Sequence, residues 1–156
     1  MRNYIYLGAL FLLMLITGVF WGTWFTLTRS IEIFSADEFI HIGKVIIANV
    51  ALPMRIIMPS GIMLIILSLW LCRQKRTTGF YAGVLSLILL ITVLLITLLV
   101  LVPIDNAIKD WTTATIPQDF TEIRHKWKTY HAFRTFLALV SFVCFSIFIY
   151  SNRGEE

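Results

Sequence analysis

Arg124, Trp127, His131 and Arg134 follow one another at spacings of three, four and three residues. At roughly 100° per helical residue they fall within a face of about 80°. One stripe of a helix therefore carries two guanidiniums, an indole and an imidazole. Histidine is the usual general base near neutral pH, and a guanidinium suits a developing oxyanion. Trp and Arg are also expected at a membrane interface, which accounts for Arg124 and Trp127. His131 and Arg134 lie deeper and are read as functional.

Arg55 is the second candidate. It stands 11 residues past Lys44 in NVALPMRIIMP, ~16 Å along a helix, which places it near mid-bilayer. A central arginine costs about 2.5–3.5 kcal/mol on insertion scales and marks a functional site by default. Pro53 and Pro59 flank it, and a proline within a helix frees a carbonyl and can kink the chain. This suggests a polar cavity; the alternative is an arginine that pairs with freed carbonyls or snorkels.

Two E-x-x-H pairs, Glu38/His41 and Glu122/His125, match the i, i+3 arrangement that di-iron carboxylate bundles use. They define an alternative iron or copper site. No H-E-x-x-H, P-loop, G-x-S-x-G or G-x-G-x-x-G pattern occurs. Neither cysteine, Cys72 nor Cys144, belongs to a C-x-x-C pair, and both are read as packing residues.

These residues need elements to hold them. The chain is 58% hydrophobic and 14% charged, far from a soluble domain's roughly 25% charged. Four apolar runs, near residues 4–28, 45–72, 80–102 and 129–150, each suffice for a ~30 Å hydrocarbon core. The fold class is an all-α integral membrane domain, a four-helix transmembrane bundle spanning 1–156. The first run is too long for a signal peptide and lacks an A-x-A site, so it is read as a retained helix. The net charge of +4 sits at the ends of apolar runs, where it anchors helices to lipid headgroups; no nucleic-acid partner is implied.

Between the last two runs lies a polar island, Pro103 to Thr135, holding two of the three histidines and four of the nine acids. With four spans, this island and the loop after the first run share one side of the membrane, so all the histidines do too. The other side carries both termini, with Arg2, Arg73, Lys75, Arg76 and Arg153, and is read as cytoplasmic in a multi-pass cell-membrane protein. Ser35…Glu38 is a capping box, and Thr115…Gln118 repeats it with Pro117 in the first turn. These starts make the second and fourth helices long, about 36–72 and 116–150. Asp105 could start a short interfacial helix through Ala107–Trp111. Gly18…Gly22 and Gly79…Gly83 are small-residue pairs expected to seat neighbouring helices.

The island's runs VPIDNAI-x-x-W, IPQDF and RHKW-x-x-YH-x-x-RT resemble the C-terminal signature of a family of small four-helix membrane proteins that includes the fungal anthrone oxygenases. Pro103, Asn106, Trp111, Pro117, Trp127, His131, Arg134 and Thr135 carry the match, while Phe120 stands where a tryptophan is common. The resemblance implies a monooxygenase-like reaction on a small lipophilic, aromatic ligand drawn from the membrane. An anthrone has a C–H made acidic by a carbonyl, so a base can form an enolate that reacts directly with dioxygen, without a cofactor. His131 would supply the base and Arg134 or Arg55 the oxyanion partner. Trp111, Trp127 and Tyr130 would give aromatic surface, and Asn106 and Asn49 complete the substrate-binding set, between the second and fourth helices. The rival classes are a non-catalytic lipid- or quinone-binding or membrane-organising protein, and a metal-dependent oxidase. A transporter fits less well, since four spans hold no intramembrane carboxylate; a homo-oligomer stays open.

Overall fold

The computed structural model describes residues 2–112 and 114–152; Arg153, counted above on the side of the termini, lies outside them. The described residues are helical almost throughout. Helix α1 (Arg2–Thr26) is followed by a 3₁₀ segment, Thr28–Ile33, and by α2 (Ala36–Leu71). Helix α3 (Thr78–Ile96) continues through a π-helical turn, Thr97–Leu101, into α4 (Val102–Asp110), and α5 (Phe120–Ser151) completes the bundle. Four of these helical stretches are long and apolar enough to cross a membrane. Leu52, Ile56, Met63, Leu99 and Val143 are among the large apolar side chains turned outward, as lipid-facing residues must be.

The start of α2 follows the capping-box expectation. Ser35 Oγ accepts from the Glu38 N–H at 3.4 Å, and Glu38 Oε2 accepts from the Ser35 N–H at 2.8 Å. The start of α5 does not. It begins at Phe120 with Asp119 at the N-cap and no side-chain capping bond. Thr115 is engaged elsewhere: its Oγ1 accepts from the Thr112 N–H at 2.8 Å, closing a local turn instead.

The short interfacial helix exists, but it is not separate. It begins at Val102, and Pro103 occupies its first turn. Pro103 has no N–H to give a carbonyl in the preceding turn, and the π turn lies directly ahead of it. Widened turns of this kind recur at functional sites.

Helix α5 packs mainly against α3 and α1, and α1 also packs against α2. The seam between α1 and α2 is tight in the half near the chain's start, where an added Cβ on Gly61 would come within 3.2 Å of Ile16 Cδ1. It opens towards the loops. A Cβ added at Gly18 or Gly22 would meet no other side chain or helix within 4 Å among the described residues, and a groove of about 480 Å³ runs there, lined by Val19, Thr23, Leu27 and Ile46 with the two glycines. The Gly18…Gly22 pair therefore seats no helix, contrary to expectation. Gly79 and Gly83 do: a Cβ added at Gly79 would collide with Ser151, and one at Gly83 with Leu69 and Phe148.

Two apolar clusters fill the bundle. One joins Leu13, Ile16, Phe20, Met58, Ile65, Leu90 and Phe145. The other lies on the loop side and joins Ile31, Phe39, Ile47, Leu101, Ile108, Phe120 and Trp127. The parity of the spans is visible in that second cluster, because the 3₁₀ segment, the start of α2 and the island all contribute. Across it Lys44 Nζ donates to the Trp111 carbonyl at 2.7 Å, and Lys128 pairs with Glu32 at 2.7 Å.

Candidate functional site

The α5 stripe divides by depth. Arg124 is half-buried at the loop end, donating through Nη1 to the Phe34 carbonyl at 2.8 Å and lying 5.1 Å from the Phe120 ring centre. It fastens the connection between the 3₁₀ segment and α2. One turn on, Trp127, His131 and Arg134 are only 3%, 4% and 8% exposed. They sit where the two apolar clusters meet, since Trp127 belongs to one and Arg134 lies against Phe20 of the other.

Trp127 is fixed on three sides. Its Nε1 donates to Asp105 Oδ1 at 3.0 Å. Phe39 meets it edge-on at 5.7 Å between centroids, and the His131 ring leans on it at 3.9 Å. His131 in turn receives Arg134 Nη2 at 3.1 Å from Nδ1. The same Nη2 is 3.4 Å from Nε2, so it lies close to both ring nitrogens, and because guanidinium nitrogens only donate the imidazole is on the accepting side. The Thr135 hydroxyl donates to the His131 carbonyl at 2.7 Å, holding that turn of α5.

Arg134 is a dehydrated cation with little to hold. Nη1 donates to Thr97 Oγ1 at 3.3 Å, and the guanidinium carbon lies 4.3 Å from the Phe20 ring centre. Thr97 gives its own hydrogen to the Val93 carbonyl at 2.8 Å, which leaves lone pairs for Arg134. Arg134 Nε is buried without a partner, and no carboxylate lies within ion-pair distance among the described residues. Buried charges normally require a pair or a full set of hydrogen bonds. Here a donor is left over beside an imidazole, which is the arrangement an oxyanion or carbonyl ligand would complete.

The other residues expected at a site are distributed differently. Arg55 and Asn49 are exposed on α2. That helix runs unbroken through Pro53 and Pro59. Asn106 is exposed and accepts from Lys109 Nζ at 3.0 Å. Trp111 and Tyr130 are half-buried against the Trp127 cluster. Glu38, His41, Glu122 and His125 are all exposed, with Glu38 committed to its capping box, and the described residues contain no group of three metal-capable side chains. The stripe itself faces α1 and the α3–α4 segment; α2 reaches it through Phe39.

Three residues join the site that the spacing did not single out: Asp105, Thr97 and Phe20. Each comes from another helix and is brought in only by packing. A family model described as anthrone oxygenase matches residues 50–144. The chain belongs to the anthrone oxygenase family. The matched stretch takes in Thr97, Asp105, Trp127, His131 and Arg134, and Arg55 as well. Neither the curated proteins nor the solved structures give a match.

Proposed function

We propose that the protein is a cell-membrane oxygenase whose substrate is a small lipophilic aromatic molecule with an acidic C–H, handled at His131 and Arg134. The observation that supports it most is the buried guanidinium with an unused Nε donor, in contact with an imidazole nitrogen. Arg134 suits the oxyanion role better than Arg55 because it is buried beside the base.

Arg134 Nη2 lies against both ring nitrogens of His131. A substrate carbonyl oxygen would take over the Nη2 donor, and the imidazole would then be free to accept the C–H proton. Binding the oxygen and releasing the base become one event. Loss of the proton gives an enolate, stabilised by Arg134 as its negative charge develops. Its electrons pass to dioxygen, a C–O bond forms, and a proton gives the hydroperoxide. The second C–H is then lost as a proton while the O–O bond breaks. One oxygen remains as the new carbonyl, and the other leaves as hydroxide and becomes water. A methylene and O₂ thus yield a ketone and H₂O, and the scheme calls on no cofactor.

Trp127, Tyr130 and Trp111 would supply the aromatic walls, with the open α1–α2 seam as the lateral route from lipid. The termini are assigned to the cytoplasmic face. The test is oxygen uptake with anthrone by the purified protein in detergent, read against quinone formation. One quinone per O₂ is expected, falling at least 100-fold in His131→Ala. Equal rates in the variant would overturn the assignment.

A further inference from the structure

Asp105 has no part in the scheme above, yet it is built into the site. It lies on α4, reached through the π turn, and its Oδ1 accepts the Trp127 indole N–H at 3.0 Å. That same π turn begins at Thr97, whose hydroxyl oxygen accepts from Arg134. One local distortion of the third span therefore serves two ends of the stripe, turning Thr97 towards Arg134 and presenting Asp105 to Trp127. Asp105 is half-buried and within electrostatic reach of Arg134, while its neighbours Pro103, Asn106 and Lys109 face outward.

We propose that Asp105 is a positioning residue: through the Trp127 indole it fixes the His131 ring, and its charge offsets that of Arg134. The contacts form a chain, from carboxylate to indole N–H, indole face to imidazole, and imidazole nitrogen to guanidinium. An indole pinned by its N–H cannot turn about its ring axis, so the imidazole leaning on it at 3.9 Å keeps one orientation. The carboxylate also limits how strongly the unpaired guanidinium attracts an anion before reaction. A site that bound the enolate-like charge too tightly in the ground state would gain nothing in rate.

This rests on the proposed role of His131, and two substitutions separate the two functions of Asp105. Trp127→Phe keeps an aromatic face but removes the N–H. It is expected to lower kcat about tenfold with KM changed less than threefold. Asp105→Asn keeps an acceptor for the indole but removes the charge. The probe is 9-anthracenecarboxylate, a flat tricyclic anion, measured as an inhibitor of anthrone-dependent oxygen uptake. Its Ki should fall at least fivefold in Asp105→Asn and return towards the original value in Asp105→Glu. If His131→Ala is inactive while Trp127→Phe keeps full kcat and Asp105→Asn leaves Ki unchanged, the role of Asp105 is refuted and that of His131 stands. If His131→Ala is fully active, the parent reading fails instead. Direct binding of the same anion, followed by its fluorescence, still reads the charge effect in that case.

Discussion

Arg134 donates to a ring nitrogen of His131 at 3.1 Å from one turn further along the same helix. The pair is local in sequence, but its surroundings are not. Phe20 comes from α1, Thr97 from the π turn and Trp127 from the turn before. A buried cation held this way is weak evidence for a stabilising role.

Replacing Arg134 by Met should show that division. Exchanging buried ionic groups for apolar residues of similar volume is often neutral or stabilising by about 1–4 kcal/mol. Arg134 has no carboxylate within ion-pair distance among the described residues. Arg134→Met is expected to unfold at the same or a higher temperature in detergent, while oxygen uptake with anthrone falls at least 100-fold. A large loss of thermal stability would show that the guanidinium is structural.

The glycines give a second contrast. Gly18 and Gly22 have space for a Cβ, whereas one at Gly83 would come within 2.8 Å of Leu69 and Phe148. Glycine inside a helix is less favourable than alanine by roughly 0.5–1 kcal/mol. Gly18→Ala and Gly22→Ala should therefore each stabilise the protein by about that amount, and Gly83→Ala should destabilise it. Thermal melts of the three variants in one detergent decide the matter.

Two contacts on the loop side differ in strength. Ser35→Ala removes a cap whose loss typically costs about 1 kcal/mol. Lys128→Ala breaks the Lys128–Glu32 pair, both members of which are substantially solvated, and exposed pairs are worth roughly 0–1 kcal/mol, less in salt. Ser35→Ala should lower the unfolding midpoint at any ionic strength. Lys128→Ala should match the parent at high salt.

The four spans follow from uninterrupted apolar length, and the capping box from Ser35 and Glu38 alone. The Trp127–His131–Arg134 face follows from helical spacing. Asp105 was legible only as a helix starter, because nothing local pairs it with an indole 22 positions away. The second cap failed because Thr115 had a nearer donor in Thr112. Arg55 shows a different limit. In α2 the outward Leu52, Ile56 and Met63 are as apolar as the inward Ile47, Met58 and Ile65. Where lipid replaces water outside, hydrophobic pattern no longer distinguishes the two faces.

Arg55 therefore supplies a sharp test of depth against phase. Its depth argues for a functional arginine, while its exposure and its place off the Ile47–Met58–Ile65 stripe put it outside the buried polar group. A cation on the outer face still carries the insertion cost of about 2.5–3.5 kcal/mol, reduced by snorkelling. Arg55→Leu removes that cost without touching His131 or Arg134. The variant should insert at least as well, melt at the same or a higher temperature, and keep oxygen uptake with anthrone within twofold. Loss of turnover with a normal melt would instead give Arg55 a direct part in the reaction, and would place the substrate across the α1–α2 seam.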